Sequence, residues 1–249
     1  MDETKNTTAI ILNRSDYRES DSLVIVYTRD YGKLTLRARG TKKIQSKLAG
    51  HIEPISLANI LIIKGKGFDY VGSALTLNAY PELKNNLNKI YFAGRAIRWF
   101  NRLVKEAVPD EKLFIILSVW LEALENFKSE EFTKENGEIF FAFFALKLLS
   151  ELGYKPEMYK CLNCRNKIAA GKNYFNLRNG GLICENCYNK QRFNDEQSHN
   201  ELLIISDNCV KIIRFIIDEN IDKTVRLKID KKLIKELSLI INSFLAYRD

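Results

Sequence analysis

The sequence predicts an α+β protein in which an N-terminal OB-type β-barrel is followed by an all-helical domain with an inserted four-cysteine zinc element. Short strand-like runs alternate with glycine-containing turns over residues 9–78. From Pro81 onward, apolar residues recur at helical spacing, and two Cys-x-x-Cys pairs then interrupt that pattern. We therefore expect domains at residues 1–80 and 81–249, with the zinc element at 156–192.

Five strands are expected in the first of these domains, separated by short turns. Their sequences are TAIILNR, DSLVIVYT, KLTLRARG, SLANILIIK and FDYVGSALTLNA. Gly32, in the turn RDYG, is expected to adopt a positive φ as hairpin loops commonly require. Five strands in this length fit an OB-type barrel, and an SH3-like barrel fits almost as well.

The third strand is expected to carry a cationic outer face. Apolar and basic side chains alternate along KLTLRARG, and no acidic residue occurs between positions 31 and 52. Tyr17, Tyr31, Phe68 and Tyr70 lie among the charges. Cations for phosphates and rings for bases form the usual sequence-tolerant single-strand site, the alternative being a solvated barrel surface. The predicted nucleic-acid-binding residues are Arg14, Arg18, Lys33, Arg37, Arg39, Lys42, Lys43, Lys47, Lys64 and Lys66.

Beyond the barrel, the apolar spacing predicts a series of helices. The first covers ELKNNLNKIYFAGRAIRWFNRLVKEA, and the second begins after Asp110. The third, GEIFFAFFALKLLSEL, ends near Gly153 and is apolar on all sides, so we expect it at the centre of the helical domain. A polar connector, KQRFNDEQSHNE, precedes two amphipathic helices capped by Ser206 and Asp230.

The cysteine pairs predict a closed, structural zinc site. Cys161 and Cys164 are separated by nineteen residues from Cys184 and Cys187, a spacing that lets four thiolates meet on one tetrahedral ion. A small hairpin turning at Asn179–Gly180–Gly181 is expected between the pairs. Four cysteine ligands leave no open position for catalysis. Two disulfides or unligated thiols are the alternatives.

The composition is that of an ordinary globular chain with an excess of positive charge. Of its 249 residues, 46 % are hydrophobic and 28 % are charged, and the net charge of +8 suits an anionic partner such as nucleic acid. The polar opening is unlike a signal peptide, and no apolar run is long enough to span a membrane. We expect a cytoplasmic protein, with Cys209 as a buried small side chain.

Common catalytic motifs do not occur in the sequence, so we expect no enzyme. There is no P-loop, GxSxG, HExxH or zinc-deaminase signature, and His51 and His199 lie far apart. Asp16, Glu19 and Asp21 cluster, and a metal-dependent nuclease that uses them is one alternative. Acids beside a turn are more often solvated or cap the turn.

Three segments of the chain resemble the bacterial RecO family of DNA repair proteins. They are NRSDYRESDSLVIVYTRDYGKLTLRARG, SKLAGHIEPIS and KLLSELGYKPEMYKCLNCRN. The order of barrel, helices, four-cysteine element and further helices is also similar. The resemblance covers residues 9 to about 190 well and is weak from there to 249.

The resemblance implies a recombination mediator without nucleotide hydrolysis. Such proteins bind single- and double-stranded DNA, anneal complementary strands, engage the acidic tail of the single-stranded DNA-binding protein SSB and, with RecR, help load RecA. It also implies a nucleoid-associated location and no membrane partner. Arg95, Arg98 and Arg102 could rim a hydrophobic pocket for the SSB tail within residues 82–152, or form a solvated helix face. The main alternative is an RNA-binding OB and zinc-ribbon protein of translation or transcription.

Overall fold

The computed structural model describes residues 4–191 and 201–248, which fall into two compact units, Met1–Glu131 and Phe132–Asp249. His199 and almost all of the expected polar connector lie outside the described residues. The change from strands to helices comes at residues 80 and 81, as expected, whereas the compact units divide further along the chain. The division into domains at 1–80 and 81–249 stays a prediction.

The first unit contains the five predicted strands, arranged as an OB-type barrel. Their order around it is β1-β2-β3-β5-β4, and β4 pairs back onto β1. The seam between β3 and β5 is a single parallel pair, Arg37 with Tyr70. The prediction of an OB-type fold is confirmed. The strands are β1 (Thr4–Tyr17), β2 (Asp21–Thr28), β3 (Gly32–Ala38), β4 (Ser56–Ile63) and β5 (Tyr70–Asn78).

Alternating burial along the strands builds the barrel core. In β4, for example, Ala58, Ile60 and Ile62 are buried and pack with side chains from the other strands. The predicted turn residue Gly32 has a φ of 70°. A Cβ there would lie 2.4 Å from the carbonyl oxygen of Val108, so glycine is required both by conformation and by space.

Three helices complete the first unit: α1 (Pro81–Lys84), α2 (Leu87–Leu103) and α3 (Glu111–Asn126). The single helix expected over ELKNNLNKIYF is divided, because the Asn86 side chain accepts hydrogen bonds from the first turn of α2 and caps it. Asp110 caps α3 in the same way, and α3 begins directly after it, at the position predicted for its start. The buried Lys89 ammonium donates to the carbonyl oxygen of Phe127 at 2.5 Å, which ties α2 to the end of α3.

The second unit is built around α4 (Lys134–Glu151), which is buried on nearly every side, as its sequence predicts. It contacts three helices, α6 (Asp207–Asp218), α7 (Ile221–Thr224) and α8 (Lys231–Ala246). Ser206 caps α6 and Asp230 caps α8, both as predicted. Among the described residues, no helix is long and apolar enough to cross a membrane.

The second unit also contains a three-stranded sheet, one strand of which ends at Cys184. The expected hairpin is formed by β6 (Asn173–Asn176) and β7 (Gly181–Cys184), and Gly180 in its turn has a φ of 61°. The third strand, β8 (Leu202–Ile205), pairs with β6 and was not expected, because four consecutive apolar residues carry no clear period. The short α5 (Glu185–Gln191) follows β7 and was likewise not expected.

Candidate nucleic-acid interface and metal centre

Four of the predicted binding residues meet at one end of the barrel. Arg18 lies in the β1–β2 turn, Arg37 and Arg39 lie at the end of β3, and Lys43 lies in the loop that follows. The antiparallel pairing of β1 with β2 and of β2 with β3 brings these segments together, because Tyr17 pairs with Asp21 and Ser22 with Ala38. The four cations line one shallow pocket.

Aromatic rings lie between these cations, as the sequence predicts. The Tyr17 ring has the guanidinium of Arg18 at 5.3 Å and that of Arg37 at 5.6 Å from its centre. Phe68, from the β4–β5 loop, packs edge-on against Tyr17, and Arg39 lies 4.2 Å from the centre of the Tyr70 ring. This mixture of rings and cations is what a single-strand site needs.

Tyr31 is not part of this cluster. It lies in the β2–β3 turn, at the other end of that hairpin, where the Lys5 ammonium is 4.8 Å from its ring centre.

The buried Asp21 carboxylate holds two segments together at this end of the barrel. It accepts hydrogen bonds from the Gly40 backbone N–H at 2.8 Å and from the Arg37 guanidinium, whose nearer nitrogen is 2.6 Å away. These two donors, the Gly40 N–H first and then Arg37, hold the pKa of Asp21 below its ordinary value. Asp21 is therefore engaged in fixing the loop after β3, which gives the acidic cluster of the sequence a structural role.

Three other predicted cations are committed to contacts within the protein. Arg14 donates to Glu53 at 2.8 Å and to the carbonyl oxygen of Ala49. Lys42 pairs with Asp16 at 3.0 Å. Lys33, expected on the outer face of β3, is buried instead, and its ammonium donates to the Asn101 carbonyl oxygen at 2.6 Å. Burial lowers the pKa of Lys33, and a lysine in this position cannot reach a ligand from the surface.

The remaining predicted cations form what we call the cationic surface. All are exposed, and they lie on the β1–β2 turn, the end of β3, and the β3–β4 and β4–β5 loops. OB folds bind oligonucleotides through their β1–β2 and β4–β5 loops, so the positions match the use that this fold makes of its loops. The residues of the cationic surface are Arg18, Arg39, Lys43, Lys47, Lys64 and Lys66.

The three α2 arginines that were expected to rim a pocket, Arg95, Arg98 and Arg102, have different surroundings. Arg98 is exposed and lines a shallow pocket with Leu12, Pro54 and Ile55. The guanidinium groups of Arg95 and Arg102 lie over the rings of Phe92 and Trp99, at 5.7 and 5.3 Å. Arg98 thus borders a recess in the first unit.

The four cysteines of the second unit form a cluster that can hold one metal ion. Their sulfur atoms all lie within 4.8 Å of one another, and those of Cys164 and Cys184 are 3.9 Å apart. Tetrahedral bonds of about 2.3 Å to zinc would place sulfur atoms roughly 3.8 Å apart, so the donor set fits such an ion. None of the four forms a disulfide. In the parts of the chain that the structure describes, no other group of three metal-ligating side chains is close enough to share an ion.

Neighbouring groups hold the cysteine cluster in place. The Cys184 N–H donates to the Cys161 sulfur at 3.4 Å, an arrangement typical of thiolate sites. Beside it, the rings of Tyr174 and Tyr188 stack 3.6 Å apart. The fifth cysteine, Cys209, is buried in α6 and lies outside the cluster, as expected, and burial raises the pKa of its thiol.

Nearly the whole chain is similar to known protein families. Residues 1–80 match the family described as recombination protein O N terminal, and residues 84–248 match recombination protein O C terminal. A DNA repair protein RecO from Dehalococcoides mccartyi is 30 % identical over 210 residues, which cover 84 % of this chain and 77 % of that protein. The RecO protein of Roseiflexus sp. is 33 % identical over 186 residues, covering 75 % and 63 %.

Proposed function

The chain belongs to the RecO family of DNA repair proteins, which act in DNA repair and recombination, and we propose that it is a mediator that binds DNA strands and anneals them. Its binding site in this proposal is the cationic surface together with the rings of Tyr17, Phe68 and Tyr70. The observation that carries the proposal is the convergence of Arg18, Arg39 and Phe68 at one end of the barrel.

The chemistry of the surface suits a strand of any sequence. Lysines and arginines neutralise phosphates, and exposed rings offer stacking partners to bases without selecting among them. Phe68 is 45 % exposed, so its face is available to a base. Arg37 and Asp21 act beneath this surface by fixing the end of β3 rather than by contacting the ligand.

Annealing follows from charge neutralisation in this mechanism. Two complementary strands repel each other through their phosphates, and a surface that neutralises part of that charge lowers the repulsion. Bases held by stacking on rings keep their Watson–Crick edges open to a second strand. The protein then needs no nucleotide hydrolysis, because pairing of the complementary strands itself supplies the free energy.

The proposal extends to the partners implied by family membership. In it, the protein engages the acidic tail of SSB, acts with RecR, and helps load RecA onto SSB-coated single strands in the cytoplasm. The recess beside Arg98 offers a cation next to apolar side chains, which is the chemistry an acidic tail with an apolar end would need. In the second unit, the four cysteines are proposed to hold zinc, which would cross-link the hairpin and α5 without taking part in DNA chemistry.

Annealing of SSB-coated complementary oligonucleotides, with and without the protein, tests the proposal. We expect faster annealing with the protein, and the double variant Arg39→Ala with Lys43→Ala should bind single strands roughly tenfold more weakly. The matched control is Arg226→Ala with Lys232→Ala, which removes two exposed cations from the second unit. Equal loss of binding in both double variants would show that net charge, and not the cationic surface, holds DNA.

A further inference from the structure

Ile44 is an exposed apolar side chain in the β3–β4 loop, between Lys43 and Lys47 of the cationic surface. Of the large apolar side chains in residues 4–191 and 201–248, it is the most exposed, and no protein atom covers it. It follows Lys43, which lines the pocket with Arg18 and Arg39, and it precedes Lys47. An isoleucine fully in water at this place contributes nothing to the core.

The backbone around Ile44 is held in a defined turn. The Ser46 N–H donates to the Lys43 carbonyl oxygen at 2.9 Å, so that Ile44 occupies the first of the two central positions of the turn. The base of the loop is anchored to the β1–β2 turn, because the Lys42 N–H donates to the Ser20 carbonyl oxygen at 3.0 Å. The buried Thr41 hydroxyl also hydrogen bonds to Ser22 at 2.8 Å.

The anchoring of this loop affects how much binding free energy a contact through Ile44 can contribute. A side chain on an ordered turn loses little conformational freedom when it touches a ligand, so more of the contact energy appears as affinity. Lys43 and Lys47 attract a polyanion to this loop. The Ile44 side chain gains contact energy only if that polyanion also offers an apolar surface. In single-stranded DNA that surface is the face of a base, and isoleucine is among the residues that DNA-binding proteins insert between base steps.

We propose that Ile44 is a wedge that inserts between adjacent bases of a single strand held on the cationic surface and separates them. This inference rests on the proposed function, since it needs a strand on that surface. It adds a role for the β3–β4 loop: unstacking a strand exposes base faces and edges, which prepares them to pair with a complementary strand. Rings and lysines alone would hold a strand but would leave its stacked segments intact.

The test uses the full-length protein and an oligonucleotide with 2-aminopurine at successive positions, whose fluorescence rises when neighbouring bases unstack. At saturating protein we expect a rise with the wild type and its loss with Ile44→Ser. The same variant should bind roughly fivefold to tenfold more weakly at every salt concentration, with an unchanged salt slope, because an apolar contact releases no counterions. Ile44→Phe should restore the fluorescence rise.

Control variants distinguish the proposed role of Ile44 from the proposed binding of DNA to the cationic surface. Leu87→Ser removes another exposed aliphatic side chain, outside the loop, and should leave both measurements unchanged. If Ile44→Ser binds single strands and keeps the full fluorescence rise, the proposal that Ile44 separates bases is wrong, while the proposed function stands. If the wild type fails to bind single strands, both are wrong. Loss of binding to phosphatidylserine vesicles in Ile44→Ser, with unchanged 2-aminopurine fluorescence, would instead identify the tip as a membrane contact.

Discussion

At the scale of single residues, one buried carboxylate determines how the cationic surface is built. Asp21 receives the Gly40 N–H and the Arg37 guanidinium, and so it fixes both the strand end and the start of the next loop. Arg37 is thereby turned into a structural residue whose guanidinium also packs on Tyr17. A sequence cannot show this, because the same acid beside a turn could equally be solvated.

The lowered pKa of Asp21 predicts how stability depends on pH. The unfolded chain takes up a proton on Asp21 near its ordinary value of 3.8, whereas the folded protein takes it up only at lower pH. The contribution of Asp21 is therefore complete above about pH 5 and is lost as the pH falls through the lower folded value. Asp21→Asn should unfold at lower temperature at pH 7, and its melting temperature should fall less steeply below pH 4.

Thermal unfolding followed by circular dichroism between pH 2.5 and 7 provides the measurement. Other carboxylates also titrate in this range, so the informative quantity is the difference between the variant and the wild type. Asp222→Asn, at an exposed position in the second unit, controls for the change in net charge. Parallel curves for Asp21→Asn and the wild type would contradict the role given to Asp21.

At the scale of secondary-structure elements, the four-cysteine element has only a small core, in which Cys161, Tyr174 and Ile183 are buried. Strands β6 and β7 have four residues each, and α5 has seven. Elements of this length gain little free energy from burial, and a metal ion held by the four cysteines would add stability that packing alone does not give. The sheet formed by β6, β7 and β8 then connects this element to the chain leading into α6.

Removing one ligand should therefore destabilise the second unit. Cys161→Ser is expected to lower the metal content from one ion per chain and to reduce the free energy of unfolding by on the order of 4 kcal/mol. Elemental analysis and chemical denaturation measure the two effects, and Cys209→Ala should keep the metal. Loss of DNA binding in Cys161→Ser without any loss of stability would contradict a structural role for the site.

The sequence predicts the elements well where a local pattern decides them. The five strands, the central helix α4, the start of α3 after Asp110, the caps Ser206 and Asp230, and the cysteine spacing all follow from nearby residues. Long-range contacts decide what was not predicted. Lys33 is buried because Asn101, far along the chain, offers a carbonyl oxygen, and β8 exists because β6 offers it an edge.

At the scale of the whole molecule, the distribution of charge matters more than the net charge of +8. Several cations of the predicted binding set, such as Arg14 and Lys42, are paired with carboxylates inside the first unit. Those of the cationic surface lie exposed on the β1–β2 turn, at the end of β3, and on the β3–β4 and β4–β5 loops. A basic excess arranged in this way favours an extended polyanion over scattered small anions.

The number of cations on the surface predicts the salt dependence of binding. If all six contact phosphates of a single strand, the logarithm of affinity should fall with the logarithm of salt concentration at a slope of about −4. Fluorescence anisotropy over a range of sodium chloride concentrations measures this slope, and Arg39→Ala with Lys43→Ala should reduce it by roughly one to two. A slope near zero would show that phosphates contribute little.

The β3–β5 seam of the barrel, which is a single residue pair, bears on the proposed binding of DNA. Arg37 and Tyr70 form the single pair that joins β3 to β5, and rings and guanidiniums of the proposed binding site lie against that same pair. In the proposed function, a ligand that contacts both Arg39 and Phe68 would span this seam, which has the fewest paired residues of the strand contacts in the barrel. Binding of a nucleic-acid strand there would then also stabilise the barrel against opening between β3 and β5.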